Sequence, residues 1–178
     1  MRGYFGFGVE RISKPMNLGT LMRSAHAFGA SFFFTLEATF PPRKVRQSDT
    51  SDASKHLPLY VWDSLAEMRL PRGCRLVGVE LTEEAVDLPS FRHPLSAAYV
   101  LGPERGSLSP ELQARCDLVV KIPTKFCVNV GIAGALVMYD RMLSMGRFAG
   151  RPVKSGLKPD PLPDHVHGGP VIRSVKNT

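Results

Sequence analysis

Residues 98–115, AYVLGPERGSLSPELQAR, decide how the chain is read. The apolar run closes at Gly102, and a turn bounded by Gly102 and Gly106 follows. Ser109-Pro110-Glu111 then supplies a cap, a proline at the first helical position and an acid for the first turn. A strand feeding a glycine-bounded turn and a capped helix is the unit of an α/β fold, because a parallel neighbour is reached only through a crossover. Working outward, β-branched and aromatic runs at 4–9, 31–36, 59–62, 76–81 and 118–122 join 98–102 as six strands. Helical periodicity marks 18–28, 64–68, 110–115 and 128–145, with a weaker pattern within 48–55. The expectation is an α/β fold with a mostly parallel six-stranded sheet and helices on both faces.

The 178 residues, 43% of them hydrophobic, suit one domain, taken as residues 1–150, followed by a Pro/Gly-rich basic tail at 151–178. The formal charge of +7 points to a polyanionic partner. It is uneven: residues 1–56 hold eight basic and four acidic side chains, 57–150 ten of each, and 151–178 five and two. The two ends therefore meet the polyanion while the neutral middle builds scaffold and pocket. The start lacks the apolar core of a signal peptide, and the longest apolar stretch, 128–139, is short of the ~20 residues of a membrane span. A soluble, cytoplasmic protein is expected. Cys74, Cys116 and Cys127 form no CxxC pair, and His165 and His167 have no neighbouring ligands, so no metal site is expected.

Three segments have the residue types for a binding site. In the first, 17–29, Asn17 sits where a helix cap belongs, Arg23 lies in the second turn and Gly29 closes the apolar pattern. A plain cap and a solvated charge are the plainer explanation. In the second, the turn at 102–109, glycines let backbone amides approach a ligand at a strand's carboxyl end. Pairing of Glu104 with Arg105 or another surface cation is the plainer alternative. In the third, 122–135, Asn129 caps the last helix, whose first turns, Gly131, Ala133, Gly134 and Ala135, are thin enough for a backbone or a flat ligand to press close. Cys127 there is either a tuned thiolate or a small buried filler.

In this order and spacing the segments resemble the SpoU (TrmH-like) branch of the SPOUT RNA methyltransferases. Asn17, Gly19, Arg23, Phe28 and Gly29 match its first motif; Gly102, Glu104, Gly106 and Leu108 its second; Ile122, Pro123, Cys127 and Asn129 its third. Two departures stand out: Cys127 replaces the family's serine, and the loop before it is about three residues shorter than the family's pattern.

The resemblance implies a C-terminal trefoil knot, a homodimer, and S-adenosylmethionine as methyl donor, with S-adenosylhomocysteine as product. It implies transfer to a ribose 2′-hydroxyl in structured RNA, tRNA favoured over rRNA. It assigns catalysis to Arg23, Asn17, Glu104 and Asn129, and the donor to Val79, Glu80, Gly102, Ile122, Cys127, Val128 and Asn129. Glu104 would anchor the turn or neutralise Arg23. A guanidinium stays charged and is a poor base, so Arg23 is read as binding a phosphate and stabilising the developing alkoxide. No extra N-terminal RNA-binding domain is read, so Arg23, Arg43, Lys44, Arg46 and Lys55, with Lys154, Lys158, Arg173 and Lys176 in the tail, are the expected RNA contacts. The apolar residues of the last helix occupy more than one face, as a sheet-and-subunit contact requires. RNA binding without transfer, and methylation of a base nitrogen, remain open at this point.

Overall fold

Seven strands form one sheet in the computed structural model, which describes residues 3–42, 56–146 and 148–162. They are β1 (Phe5–Glu10), β2 (Phe32–Leu36), β3 (Leu59–Trp62), β4 (Arg75–Val79), β5 (Val86–Asp87), β6 (Ala97–Leu101) and β7 (Leu118–Lys121), in the order β3-β2-β1-β6-β4-β7-β5. The six-strand expectation is thus corrected to seven. The addition, β5, is two exposed residues pairing with β7 at the sheet edge, too short to show any period. Every pairing is parallel.

Helices α1 (Pro15–Ala27) and α3 (Val130–Met145) cover one face, and α2 (Pro110–Arg115) the other. The pattern at 64–68 is a single 3₁₀ turn, Leu65–Glu67, and a second turn spans Leu88–Ser90. The weak pattern within 48–55 lies outside the described residues.

The sequence of β1, FGFGVE, shows how the two layers are built. Phe5, Phe7 and Val9 enter the core under α1 and α3, beside Leu18, Leu21, Val137 and Met138. Gly6 and Gly8 face the other way and leave room for two aromatic rings. A Cβ at Gly6 would lie 2.1 Å from the Phe32 ring, and one at Gly8 2.4 Å from Phe34. Those rings pack with Leu36, Leu76, Val100 and Leu112 under α2. On the first face, Gly134 admits α1: a Cβ there would meet Leu21 at 2.4 Å and Phe7 at 3.2 Å. What presses on the thin start of α3 is therefore a helix and a core phenylalanine.

The inner face also holds a buried polar chain. Arg141, 5% exposed, donates to the Tyr99 hydroxyl at 3.1 Å and to the carbonyls of Pro94 and Leu95 at 2.7 and 3.0 Å. Tyr99 and His93 Nδ1 are 2.6 Å apart, and His93 Nε2 is 2.8 Å from Asp140. Since Arg141 can only donate, the Tyr99 hydroxyl accepts from it and gives its own proton to Nδ1, which leaves Nε2–H for Asp140. The arrangement calls for a neutral imidazole. Burial holds the His93 pKa below its ordinary value despite Asp140, and pushes the Tyr99 hydroxyl up to about 12.

The chain divides into two compact units, Met1–Met145 and Gly146–Thr178. In the second, residues 148–162 form no regular structure, and Lys154 and Lys158 are exposed. Among the described residues no helix is long and apolar enough to cross a membrane.

Candidate active site

The loops that follow β1, β4, β6 and β7 open at the carboxyl edge of the sheet, where parallel α/β folds place their ligands. Two carboxylates build the loop at 102–109. Glu10, the last residue of β1 and 1% exposed, accepts from the Ser109 amide at 2.8 Å and from the Ser109 hydroxyl. Glu80, just past β4, accepts from the Leu108 amide at 2.8 Å and from its neighbour Leu81 at 2.9 Å. Ser109 also caps α2 as expected, its oxygen accepting from the Leu112 amide at 3.3 Å. Gly102 fits tightly: a Cβ there would lie 2.9 Å from the Leu108 nitrogen.

Glu104 is the centre of the site. Its Oε2 accepts from the Ser13 amide at 3.0 Å and the Ser13 hydroxyl at 2.9 Å; its Oε1 accepts from the Lys14 amide at 2.9 Å and Asn17 Nδ2 at 3.1 Å. Asn17 is therefore not the cap of α1. The helix begins three residues earlier than read, Lys14 is the cap position and makes no side-chain cap bond, and Glu104 supplies the acceptor from a distant loop. A carboxylate there also meets the positive end of the helix dipole. Nor does Glu104 pair with Arg105 or Arg23. Burial raises its pKa, but the bonds from Ser13, its own backbone and Asn17 outweigh that and hold it below the usual carboxylate range.

From Asn17 the chain continues across the site. Asn17 Oδ1 accepts from Asn129 Nδ2 at 3.3 Å, and Asn129 Oδ1 accepts from the Gly131 amide at 2.8 Å. A carboxylate that only accepts stands at one end and an N–H that only donates at the other, so both amide orientations are determined. Asn129 thus caps α3, which starts at Val130 and not at residue 128. Arg23 lies exposed on α1, and its side chain makes no hydrogen bond or ion pair with the described residues.

Beside this chain lies an open cleft of about 570 Å³, solvent at its mouth included. Of the residues assigned to the donor, Val79, Glu80, Gly102, Ile122, Cys127 and Val128 line it, and Asn129 does not. Sequence reasoning missed Leu81, Leu101, Pro103, Thr124 and Val130, and it marked Gly106 and Ala133 as open to a ligand without assigning them to the donor. These carry no chemical signature and are recruited by their place at or beyond strand ends or in the first turn of α3. It also missed Ser13 and Glu10; a lone carboxylate closing an apolar strand was the available signal for Glu10. Cys127 is exposed, not a buried filler. Arg43, Lys44, Arg46, Lys55, Arg173 and Lys176 lie outside the described residues, as do His165 and His167.

Over residues 6–139 the chain matches the SpoU rRNA Methylase family, and it belongs to that family. It is 30% identical over 142 residues to the mouse (Mus musculus) tRNA (guanosine(18)-2′-O)-methyltransferase TARBP1, covering 72% of this chain and 9% of that protein. It is 26% identical over 140 residues to the 23S rRNA (guanosine-2′-O-)-methyltransferase RlmB of Acinetobacter baylyi, covering 74% of this chain and 56% of that one. The chain thus spans only part of these relatives. The SpoU methyltransferase AviRb from Streptomyces viridochromogenes, solved in complex with AdoMet, superposes with a TM-score of 0.69 at 26% identity, over 83% of this chain and 60% of that one.

Proposed function

We propose that the chain transfers a methyl group from S-adenosylmethionine to a ribose 2′-hydroxyl in a structured RNA, with tRNA favoured. The observation that carries this reading is the hydrogen-bond chain Glu104–Asn17–Asn129, which brings three separate loops together beside the cleft. The mouse relative's printed activity supports tRNA, and that of the Acinetobacter relative keeps rRNA as the competing substrate.

The cleft suits the donor. Its walls include Val79, Leu101, Ile122 and Val128, apolar surfaces for a flat base, with Glu80 as a polar group. When bound, S-adenosylmethionine supplies an electrophilic sulfonium methyl. Glu80 and Gly102 hold the loop that frames the cleft. Glu104, with all four acceptor positions filled, takes no proton; it fixes Asn17 and the start of α1. Asn17 and Asn129 lock the first and third loops together. Arg23 binds a phosphate beside the target ribose and stabilises the developing alkoxide, the proton passing to solvent.

Two further features belong to this reading. The chain is threaded as a trefoil knot in the C-terminal part of the sheet, an inference from family membership. It also acts as a homodimer, supported by the outward stripe Ile132, Leu136, Tyr139 and Leu143 on α3, whose side chains are 36–56% exposed. Arg43, Lys44, Arg46 and Lys55 are retained as RNA contacts.

The test is incubation with methyl-labelled S-adenosylmethionine and separate pools of tRNA and rRNA, followed by alkaline hydrolysis. Label in an alkali-resistant dinucleotide from tRNA supports the reading. Label on a base, or RNA binding without label, overturns it.

A further inference from the structure

We infer that Arg11, Lys14 and Arg105 form a phosphate-binding rim that seats the RNA at the mouth of the cleft, an assignment that rests on the proposed RNA substrate. Arg11 and Lys14 lie between β1 and α1, and Arg105 lies between β6 and α2. Two sets of contacts make these loops one surface. Glu104 is bound by the amides of Ser13 and Lys14, and the Arg11 guanidinium crosses to the Ser107 carbonyl at 3.2 Å.

The acids and the cations of this surface are held by different partners. The neighbouring acids stay charged but accept from backbone amides: Glu104 from Ser13 and Lys14, Glu80 from Leu81 and Leu108, and buried Glu10 from Ser109. Lys14 and Arg105 are exposed and form no ion pair with the described residues. Arg11 is shared, 3.6 Å from Glu10 with its side chain 43% exposed. Arg11 also holds φ +47°, a left-handed conformation in which a side chain costs ~1 kcal/mol and glycine costs little. A guanidinium is kept at that bend, and it reaches across to the second loop.

Exposed cations without an ion-pair partner among the described residues are free to take an external anion, and the phosphates of an RNA backbone supply one. Phosphate contacts position a nucleic acid without reading its sequence. The rim would therefore set affinity and register while the interior of the site selects the nucleotide.

The test uses the full chain and a tRNA pool, with Lys14→Gln, Arg105→Gln and the double substitution. RNA affinity is measured across a salt series, and S-adenosylhomocysteine affinity by calorimetry. The rim requires the slope of log affinity against log salt to shrink by roughly 0.7–0.9 per phosphate contact removed, with S-adenosylhomocysteine affinity held and with Lys14→Arg and Arg105→Lys restoring the slope. An unchanged slope and affinity in the double variant overturns it. So does an equal loss in the charge-preserving variants, which would report loop damage. Wild-type protein that binds RNA through these residues but transfers no methyl leaves the rim standing and removes the catalytic reading.

Discussion

Asn17 donates its Nδ2 proton to Glu104 Oε1 at 3.1 Å, joining residues 87 positions apart. The opposite side of the same amide accepts from Asn129 at 3.3 Å, so one side chain ties the second motif to the third. Replacing it with Asp would put a carboxylate against Glu104 and leave the Glu104 side without a donor. Asn17→Asp is expected to lower stability by roughly 1–3 kcal/mol and to cut methyl transfer more than Asn17→Ser. Urea unfolding and transfer assays check both, and equal stability of Asp and wild type would contradict the orientation given to this amide.

At Gly102 the obstacle is backbone. A Cβ would lie 2.9 Å from the Leu108 nitrogen and 3.1 Å from the Ser107 carbonyl carbon, so the loop itself must move. Gly102→Ala is expected to cost ~1–3 kcal/mol as overpacking and to weaken S-adenosylhomocysteine binding, since the residue lines the cleft. Calorimetry giving the wild-type affinity would show that this loop does not shape the ligand site.

The His93 chain sets a pH dependence of stability. Burial depresses the folded-state pKa of His93 below its unfolded value near 6.5, so the contribution of the neutral ring is complete above about pH 6.5 and is lost as pH falls through the folded pKa. The urea midpoint of the wild type should fall between about pH 7 and pH 5. His93→Gln should be less stable at pH 7 by roughly 1–3 kcal/mol and flatter across that window. A variant as pH-sensitive as wild type would place the titrating group elsewhere.

The cysteines differ in access. Cys127 is exposed in the lining of the cleft, whereas Cys74 and Cys116 are partly buried and burial raises both thiols, Cys116 to about 11. Limiting iodoacetamide should label Cys127 first, and S-adenosylhomocysteine should slow it. Peptide mapping that finds equal labelling at all three, or no protection, would separate Cys127 from the ligand site. Cys127→Ser should keep ligand affinity within about twofold, as exposed substitutions commonly do.

Periodicity and capping made much of the fold legible. The six strands read from the sequence are present, and Ser109 and Asn129 cap α2 and α3 because a short polar side chain beside a helix start acts on amides within three residues. Six of the seven residues assigned to the donor line the cleft for a related reason, since each sits at or beyond the end of a recognisable strand or just before α3. The errors fall where a local signal had a distant competitor. Asn17 carries the chemistry of a cap and is read as one, yet α1 already begins at Pro15 and its start is served by Glu104.

The amino-acid order by itself determined which stretches extend or coil and which side chains turn inward, because those depend on backbone dihedrals and burial repeating every two or three to four residues. Only the folded chain decided that Ser13, Asn17, Glu104 and Asn129 share one hydrogen-bonded line, and that Arg11, Lys14 and Arg105 border it. The physical reason is that a hydrogen bond between loops 87 or 112 residues apart depends on where parallel strands set their ends, and no short-range preference carries that distance.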